Sequence, residues 1–354
     1  MSEKALNFIG GVWEWPEGRG ALESRNPADW TEVVATMPDS TSDDVDRAVE
    51  AAKKALPAWS ATPAPERGAI LLKAAQIMAE RKAHLGMCVT MEAGKSIAEG
   101  RGDVQEAIDM AVLAAGEGRR LYGETAPSEL PNKMCLTFRE PVGVCGLITP
   151  WNFPIAIPSW KSLAALICGN TLVLKPASDT PLCGQEYVKC LEDAGLPAGV
   201  FNVVQGRGSA VGEAMLSHPE ISLISITGST ETGKRVAGRC GETGKQVSLE
   251  CGGKNAEIVM DDADLDLAVD GALWGAFGTS GQRCTATSRL IVHEKVHDKV
   301  VEMLVERAGK LVLGPGKEPE TEVGPIVNES QLKSVLAYIE IGKGEGKMLC
   351  GGKR

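Results

Sequence analysis

One cysteine in this 354-residue chain stands apart from the other nine. Cys284 lies in Gly278-Thr-Ser-Gly-Gln-Arg-Cys-Thr-Ala-Thr-Ser-Arg-Leu290, among small and polar residues and outside any apolar run. A thiol that only packs behaves as a small hydrophobe, whereas a nucleophilic one needs a polar, partly open setting that favours its thiolate. Gly278 and Gly281 allow the backbone to come close to a ligand, and Arg283 puts a permanent positive charge next to the sulfur in sequence. The chemistry this suggests is addition of a thiolate to an electrophilic carbon. Such a step produces an oxyanion, so preplaced hydrogen-bond donors must come from elsewhere in the chain.

The composition supports a soluble globular protein with a sizeable core and two or more domains: 43% of residues are hydrophobic and 24% charged. A net charge of -10, with no concentrated basic face, argues against nucleic acid or an acidic membrane as partner and favours small molecules. No apolar run reaches spanning length, and the first ten residues lack the basic-then-apolar pattern of a secretion signal, so the expected location is cytoplasmic. The ten cysteines are scattered without a C-x-x-C pair. That pattern suggests neither a disulfide framework nor a zinc site, and most of the thiols are expected to be reduced and buried.

The elements that would position Cys284 follow from the periodicity. Residues 1 to about 40, punctuated by Pro16, Pro27 and Pro38, predict an arm or edge strands. Helical spacing runs through 41–59, 65–91 and 96–122 and predicts a helical covering layer. The segment 121–139, broken by Gly123, Pro127 and Pro131, predicts a projecting hairpin or crossover. From Pro141 short β runs at 142–148, 171–174, 200–204, 221–226 and 246–249 alternate with helices near 159–167, 182–194, 210–216 and from 230. This alternation predicts a parallel sheet with helices on both faces, which binds ligands at the carboxyl ends of its strands. A third region has strands at 257–260 and 290–293 and helices to Trp274, at 296–311 and at 331–341.

Several motifs invite a different chemistry. His293-Glu-Lys-Val-His297 fits H-E-x-x-H, but His293 closes a β-branched run, whereas the zinc motif needs both histidines on one helical face. Gly228-Ser-Thr-Glu-Thr-Gly-Lys234 fits a phosphate loop, yet Arg235 stands where Ser or Thr would hold magnesium, so a helix start favouring a phosphate is the milder reading. Gly206-Arg-Gly-Ser-Ala-Val-Gly212 misses the dinucleotide spacing by one residue, and 261–266 lacks the Gly and Glu of a calcium loop and reads as a helix cap. No metal site is expected.

Five motifs occur together in one order: Pro150-Trp-Asn-Phe-Pro154, Lys175-Pro-Ala-Ser178, Thr227-Gly-Ser-Thr-Glu-Thr-Gly233, Leu249-Glu-Cys-Gly-Gly-Lys-Asn255 and Gly281-Gln-Arg-Cys-Thr285. In order and spacing they resemble the aldehyde dehydrogenase superfamily, from about Asn7 to the last residue. The resemblance implies an α/β protein. It would have a Rossmann-type parallel-sheet domain from 1–122 and 142–253, a projecting hairpin and oligomerisation segment at 123–141, and a second α/β catalytic domain from 254–354. It also implies oxidation of an aldehyde to a carboxylate with NAD or NADP, in a homo-oligomer (dimer or tetramer).

By that resemblance Cys284 is the nucleophile, and the Asn152 amide and the Cys284 backbone N–H are the oxyanion donors. Glu250 is the base for hydrolysis, its pKa open to being raised by partial burial. Its presence favours hydrolysis over transfer to coenzyme A. Lys161 resembles a lysine near the oxyanion, or is a solvated helix lysine. The cofactor would run over Ile148, Thr149, Pro150 and Trp151, with Lys175 and Ala177 toward the adenine ribose. Gly208 and Gly212, then Thr227, Gly228 and Ser229 at a helix start, and Leu249 with Gly252 complete its path. Ser178 stands where many NAD-preferring members carry a glutamate that repels a 2′-phosphate, so NADP should be tolerated. Beyond the family pattern, Arg283 and Thr285 are candidates to bind the anionic tail of a semialdehyde or phosphorylated substrate, unless Arg283 points away toward a local acid. Family members continue past Arg354, which leads to the expectation of an incomplete catalytic domain. The alternatives are a catalytically silent nucleotide-binding or subunit-association fragment and, more distantly, a phosphate-loop phosphotransferase.

Overall fold

The computed structural model describes residues 2–353. The amino-terminal arm forms five strands: β1 (Glu3–Lys4), β2 (Asn7–Ile9), β3 (Val12–Glu14), β4 (Ala21–Asn26) and β5 (Asp29–Pro38). Strands β1, β5 and β4 make a small sheet of their own, while β2 and β3 extend the edge of the main sheet. Asn7 secures that junction: fully buried, it donates to Ser40 Oγ at 2.9 Å and accepts from the Gln205 N–H at 2.8 Å.

The helical layer follows as α1 (Ser42–Ala61), α2 (Ala64–Glu80), α3 (Lys82–Ala93) and α4 (Ile97–Glu117). The stretch 65–91, expected as one helix, is two, divided at Arg81, whose N–H bonds Ile77 O before the chain turns into α3. No proline or glycine marks that break. Helix α4 buries Val104, Ala107, Ile108, Ala111 and Ala114, a stripe at three- and four-residue spacing that faces the core. Its polar flank carries Glu99 and Asp103, one turn apart. Small residues let the layer pack tightly: a Cβ on Gly100 would sit 2.4 Å from the Gly86 carbonyl oxygen of α3.

The expected hairpin is present as β6 (Thr125–Pro127) paired with β7 (Met134–Leu136), with Met134, Leu136 and Phe138 exposed. The alternating region then runs β8 (Val144–Ile148), α5 (Ala156–Ile167), β9 (Thr171–Lys175), α6 (Pro181–Asp193), β10 (Phe201–Val203), α7 (Glu213–Ser217), β11 (Ile221–Gly228), α8 (Thr230–Thr243) and β12 (Gln246–Cys251). The helix expected near 210–216 begins instead as a π-helical turn, Gly208–Gly212, that flows into α7. The main sheet has the order β12-β11-β8-β9-β10-β2-β3, parallel from β12 to β10 and antiparallel at the β2–β3 edge. Residues Val144–Leu147 and Thr171–Lys175 are buried throughout, as strands covered on both faces must be.

The last region pairs β13 (Asn255–Val259) with β14 (Thr287–Val292) in parallel, packed on α9 (Leu265–Phe277) and α10 (His297–Ala308), and ends with α11 (Glu329–Glu345). Asp264 caps α9 by accepting from the Asp266 and Leu267 N–H groups, which accounts for the acidic run. His293 follows the end of β14 and His297 begins α10, so the two histidines do not share a helical face. Among the described residues, no helix is long and apolar enough to cross a membrane.

Two cores meet in the sheet. One joins α2–α6 to its strands and includes Trp59, Met78, Tyr187 and Phe201; the other lies under α1, α7 and α8. The α3–α4 crossing gives the test of this packing. Helix propensity alone favours alanine over glycine by about 1 kcal/mol. Gly100→Ala is nevertheless expected to lower stability by about 2 kcal/mol, because the added methyl meets backbone that cannot give way. Urea unfolding of the two proteins checks this, and a more stable variant would show that the crossing is loose.

Candidate active site

The parallel sheet brings the motif residues to one edge. In register, Thr227 on β11 is opposite Glu250 on β12, Ile226 is opposite Ile148 on β8, and Ile148 is opposite Lys175 on β9. At about 4.8 Å between strands, the row from Glu250 to Lys175 spans about 14 Å along the carboxyl ends. The turns that leave these strands hold the remaining candidates: Thr149, Pro150 and Trp151 after β8, Ala177 and Ser178 after β9, Gly208 and Gly212 in the π turn, Ser229 at the start of α8, and Gly252 after β12.

Cys284, Glu250, Lys161 and Thr227 line one cleft of about 620 Å³, walled by apolar residues that include Leu147, Ile157 and Trp160. Cys284 sits half-buried in a turn between a 3-10 turn, Gly278–Gly281, and β14. The approach to it is unusual: Thr279, Ser280 and Gly281 all have positive φ, at 54°, 56° and 71°. Two non-glycine residues in the left-handed region store strain, and such strain persists only when neighbours over-determine the shape. Here they do. The Thr279 N–H donates to Glu99 Oε1 at 2.6 Å, Ser280 Oγ donates to Gly324 O at 2.6 Å, and the Val327 N–H donates to the Gln282 side chain at 3.1 Å.

Asparagines from two other motifs hold the carbonyls around the cysteine. Asn152 Nδ2 donates to Gln282 O at 2.9 Å, and Asn255 Nδ2 donates to Cys284 O at 2.8 Å and Ala286 O at 3.2 Å. An amide nitrogen has two hydrogens, so Asn152 fixes its direction with one and keeps the other. Among the described residues the Cys284 N–H makes no hydrogen bond within the chain. The second Asn152 N–H and the Cys284 N–H are thus both left uncommitted, although Asn152 is not among the residues that line the cleft.

Other thiols of the chain are set apart by burial, which pushes Cys88 and Cys145 up to about 12 and Cys190 up to about 11. All ten cysteines are free; five are buried, three half-buried and two exposed.

The expectations for four residues are corrected. Arg283 does not face the cleft: its guanidinium stacks 4.0 Å from the centre of the Trp274 ring and donates to the Trp274 carbonyl, with Glu99 and Glu106 as its nearest opposing charges. Gly278 serves that arrangement rather than a ligand, since a Cβ there would collide with the Arg283 guanidinium. Glu250 is exposed rather than partly buried, because β12 is the edge strand of the main sheet and Gln246–Glu250 are all exposed. Thr285 is likewise exposed in the turn.

Lys161 is not a solvated helix lysine. Its Nζ donates to Ser225 Oγ at 2.9 Å, and burial pushes its pKa down to about 8 against the opposing pull of Glu250 and Cys251. Lys175 is buried at the end of β9, donates to Pro176 O and is also held down to about 8 by burial. Ser178 Oγ donates to Gly206 O at 3.0 Å, which draws the turn after β9 against the one after β10.

A dinucleotide suits the edge that these residues form. Among the described residues, Thr149 Oγ1 and Thr227 Oγ1 are buried with no hydrogen-bond partner. No heavy atom lies within 4 Å of a Cβ built on Gly208, Gly228 or Gly252, so backbone is open to close approach there. Ser229 caps α8 by accepting from the Thr232 N–H at 3.1 Å, leaving a helix start that favours a phosphate.

The family profile described as the aldehyde dehydrogenase family matches residues 13–354. The chain belongs to the aldehyde dehydrogenase family. It is 45% identical over 352 residues to the alpha-ketoglutarate semialdehyde dehydrogenase of Haloferax volcanii, spanning 99% of this chain and 73% of that one. It is 41% identical over 350 residues to the alpha-ketoglutaric semialdehyde dehydrogenase of Bacillus subtilis, spanning 99% of this chain and 72% of the relative. The crystal structure of an E. coli NADP-dependent enzyme superposes with a TM-score of 0.96 at 39% identity, covering 99% of this chain and 73% of the other. The α/β, aldehyde dehydrogenase-like architecture expected from the motifs is the one observed.

Sequence reasoning named Cys284, Glu250, Lys161 and Thr227 of the cleft but not Trp160, Ser225 or Ser248, and it missed the groups that hold the neighbouring segments: Glu99, Asp103, Lys95, Gln282 and Asn255. Of these, only Gln282 and Asn255 lay inside a quoted motif.

Lys161 gives the test of the cleft's electrostatics. Its folded pKa lies below the ordinary 10.5, so folding disfavours its charged form; that penalty is present below about pH 8 and fades as pH rises toward 10.5. Lys161→Met is therefore expected to be more stable than the parent at pH 7, by on the order of 2 kcal/mol, with the gap closing by pH 10.5. Unfolding at pH 7, 9 and 10.5 checks it, and parallel profiles would mean the amine is solvated.

Proposed function

We propose that this chain oxidises an aldehyde to a carboxylate through a covalent adduct on Cys284, with NAD or NADP as acceptor. The observation that carries the reading is the shared cleft of Cys284, Glu250 and Lys161, with Asn152 tied to the carbonyl two residues before the cysteine. The thiolate adds to the aldehyde carbon, and the free Asn152 N–H and the Cys284 N–H receive the oxyanion. NAD or NADP, when bound, supplies the hydride acceptor; Lys175, Thr149, Thr227, Ser229 and the open glycines of the strand ends are the residues that would hold it. Loss of hydride from the adduct leaves an acyl group on Cys284. Glu250 then takes a proton from the attacking water, the carboxylate departs, and the thiol is restored. Lys161, with its lowered pKa, supplies a donor that exchanges its proton near neutral pH.

We infer that the substrate class is a short semialdehyde with a carboxylate tail. The two relatives named for alpha-ketoglutarate semialdehyde support this. The tail is read by groups other than Arg283, which is occupied by Trp274. On this reading 1–122 with 142–253 is the cofactor-binding part, 254–354 the catalytic part, and 123–141 the contact between subunits of a cytoplasmic homo-oligomer. The exposed Met134 and Phe138 suit such a contact.

Turnover followed as reduced cofactor, with a panel of C4–C5 semialdehydes and propanal, tests the proposal. Cys284→Ala is expected to abolish it. Glu250→Gln should retain one fast turnover per site and then slow by about a hundredfold, as acyl-enzyme accumulates. Unimpaired steady-state turnover in Glu250→Gln would remove Glu250 from the mechanism, and cofactor binding without turnover by the parent would favour a silent nucleotide-binding chain. For the cofactor, Ser178→Glu is expected to lower kcat/KM with NADP by more than about tenfold and to spare that with NAD. Equal losses with both cofactors would place the 2′-phosphate elsewhere.

A further inference from the structure

Helix α5 begins without a capping side chain of its own; its N-cap is Ile155. The Ile155 and Ala156 N–H groups donate instead to Asp103 Oδ1 of α4, at 3.3 and 2.7 Å. The second oxygen of that carboxylate accepts from Lys95 Nζ at 2.9 Å, and the two side chains are sealed from solvent at 0% and 1% exposure. Lys95 Nζ also lies 3.5 Å from the centre of the Phe153 ring. One ion pair therefore grips the segment 153–156 at two backbone groups and one aromatic face. Asn152 is the residue immediately before that segment, and among the described residues its side chain makes a single hydrogen bond.

A helix start can be completed far more simply. A serine or threonine at the N-cap would do it without burying any charge, and an ion pair sealed from solvent is often no more stabilising than well-packed apolar residues in its place. What the ion pair adds is direction. An oxyanion donor loses most of its effect when it is displaced by an ångström or turned away, and Asp103 with Lys95 fixes the backbone from which Asn152 projects.

We propose that Asp103, held by Lys95, is a positioning residue that aims the Asn152 amide at the oxyanion formed during attack by Cys284. The inference rests on the reading of Asn152 as an oxyanion donor, and the experiment separates the two. The probe is hydrolysis of p-nitrophenyl acetate, which needs no cofactor: the Cys284 thiolate attacks the ester carbonyl, p-nitrophenolate leaves, and water releases acetate from the acyl thioester. Four full-length proteins are compared: the parent, Asn152→Ala, the pair Lys95→Met with Asp103→Leu, and the triple variant. Replacing both charges by apolar residues leaves no buried charge unpaired, while the Ile155 and Ala156 N–H groups lose their acceptor, so circular dichroism and thermal unfolding confirm the fold of each variant before its rate is read.

Asn152→Ala is expected to slow hydrolysis by about a hundredfold, and the pair variant by about ten- to a hundredfold. The triple variant should be no slower than Asn152→Ala, because the pair acts through the asparagine. Alkylation of Cys284 by iodoacetamide passes through no oxyanion and should stay within about threefold of the parent in all four. Normal hydrolysis in Asn152→Ala would overturn the donor reading itself. If that variant is slow while the pair variant keeps the parent rate, or if the pair imposes its full factor again in the triple variant, the positioning role is wrong. Should the leucine pair not fold, Lys95→Met with Asp103→Ser, whose hydroxyl is too short to reach the α5 backbone, carries the same expectations.

Discussion

The site depends on helix starts completed from outside. Buried carboxylates from the helical layer perform the same service twice: Asp103 of α4 accepts from the first N–H groups of α5, and Glu92 at the end of α3 accepts from the Leu182 and Cys183 N–H groups at the start of α6. Both helices leave strands of the parallel sheet at its carboxyl edge, where the motif residues lie. A carboxylate at a helix start satisfies orphan donors and meets the positive end of the helix dipole. Burial opposes it, and for Glu92 burial prevails, pushing the carboxyl up to about 7. The Asp103 carboxylate has the Lys95 ammonium as its partner, a feature that Glu92 lacks among the ion pairs of the described residues. The charged pair is thus found at the helix that follows the asparagine motif.

Helix α4 reaches the other half of the site by the same device. Glu99, one turn before Asp103, accepts from the Thr279 N–H in the strained approach to Cys284. Two carboxylates on one helical face therefore hold the segment that follows Asn152 and the segment that leads to Cys284. A helix is stiff over one turn, so the separation of those segments is set by a rigid element rather than by the loops themselves. Gly100, between the two carboxylates in sequence, is where α4 comes within backbone contact of α3, and this locks the helix against the rest of the layer.

Much of the framework was legible in the sequence because it is written in local patterns. Alternating β runs and helices, glycine-rich strand ends and a cysteine among small polar residues each carry their meaning within a dozen residues. What could not be read locally are the pairings: Asp103 to Ala156 spans 53 residues and Glu99 to Thr279 spans 180. Before folding, both acids look like ordinary polar residues of an amphipathic helix. Arg283 failed for a different reason. Adjacency in sequence to Cys284 says nothing about side-chain direction within a turn, and the Trp274 ring with its carbonyl offered the guanidinium a better seat than the cleft. The partial burial expected of Glu250 failed because strand order is not a local property: β12 proved to be the sheet edge, and Gln246–Glu250 are exposed there.

The energetics explain why such pairings persist although they add little stability. A cap supplies about 1 kcal/mol, and an ion pair taken out of water recovers roughly its own desolvation cost and seldom more. Left-handed Thr279 and Ser280 cost on the order of 1 kcal/mol each or more, which their hydrogen bonds to Glu99 and Gly324 offset. The gain lies in the narrowness of the resulting geometry. With its carbonyls held by Asn152 and Asn255 and its approach fixed by Glu99, the turn at Cys284 has little freedom to rotate its N–H away from the sulfur. A donor fixed in advance need not reorganise when charge appears, and reorganisation is what a flexible loop would have to supply at each turnover. The chain thus places its strained and charged groups where direction matters, and leaves cohesion to the apolar layers on either side of the sheet.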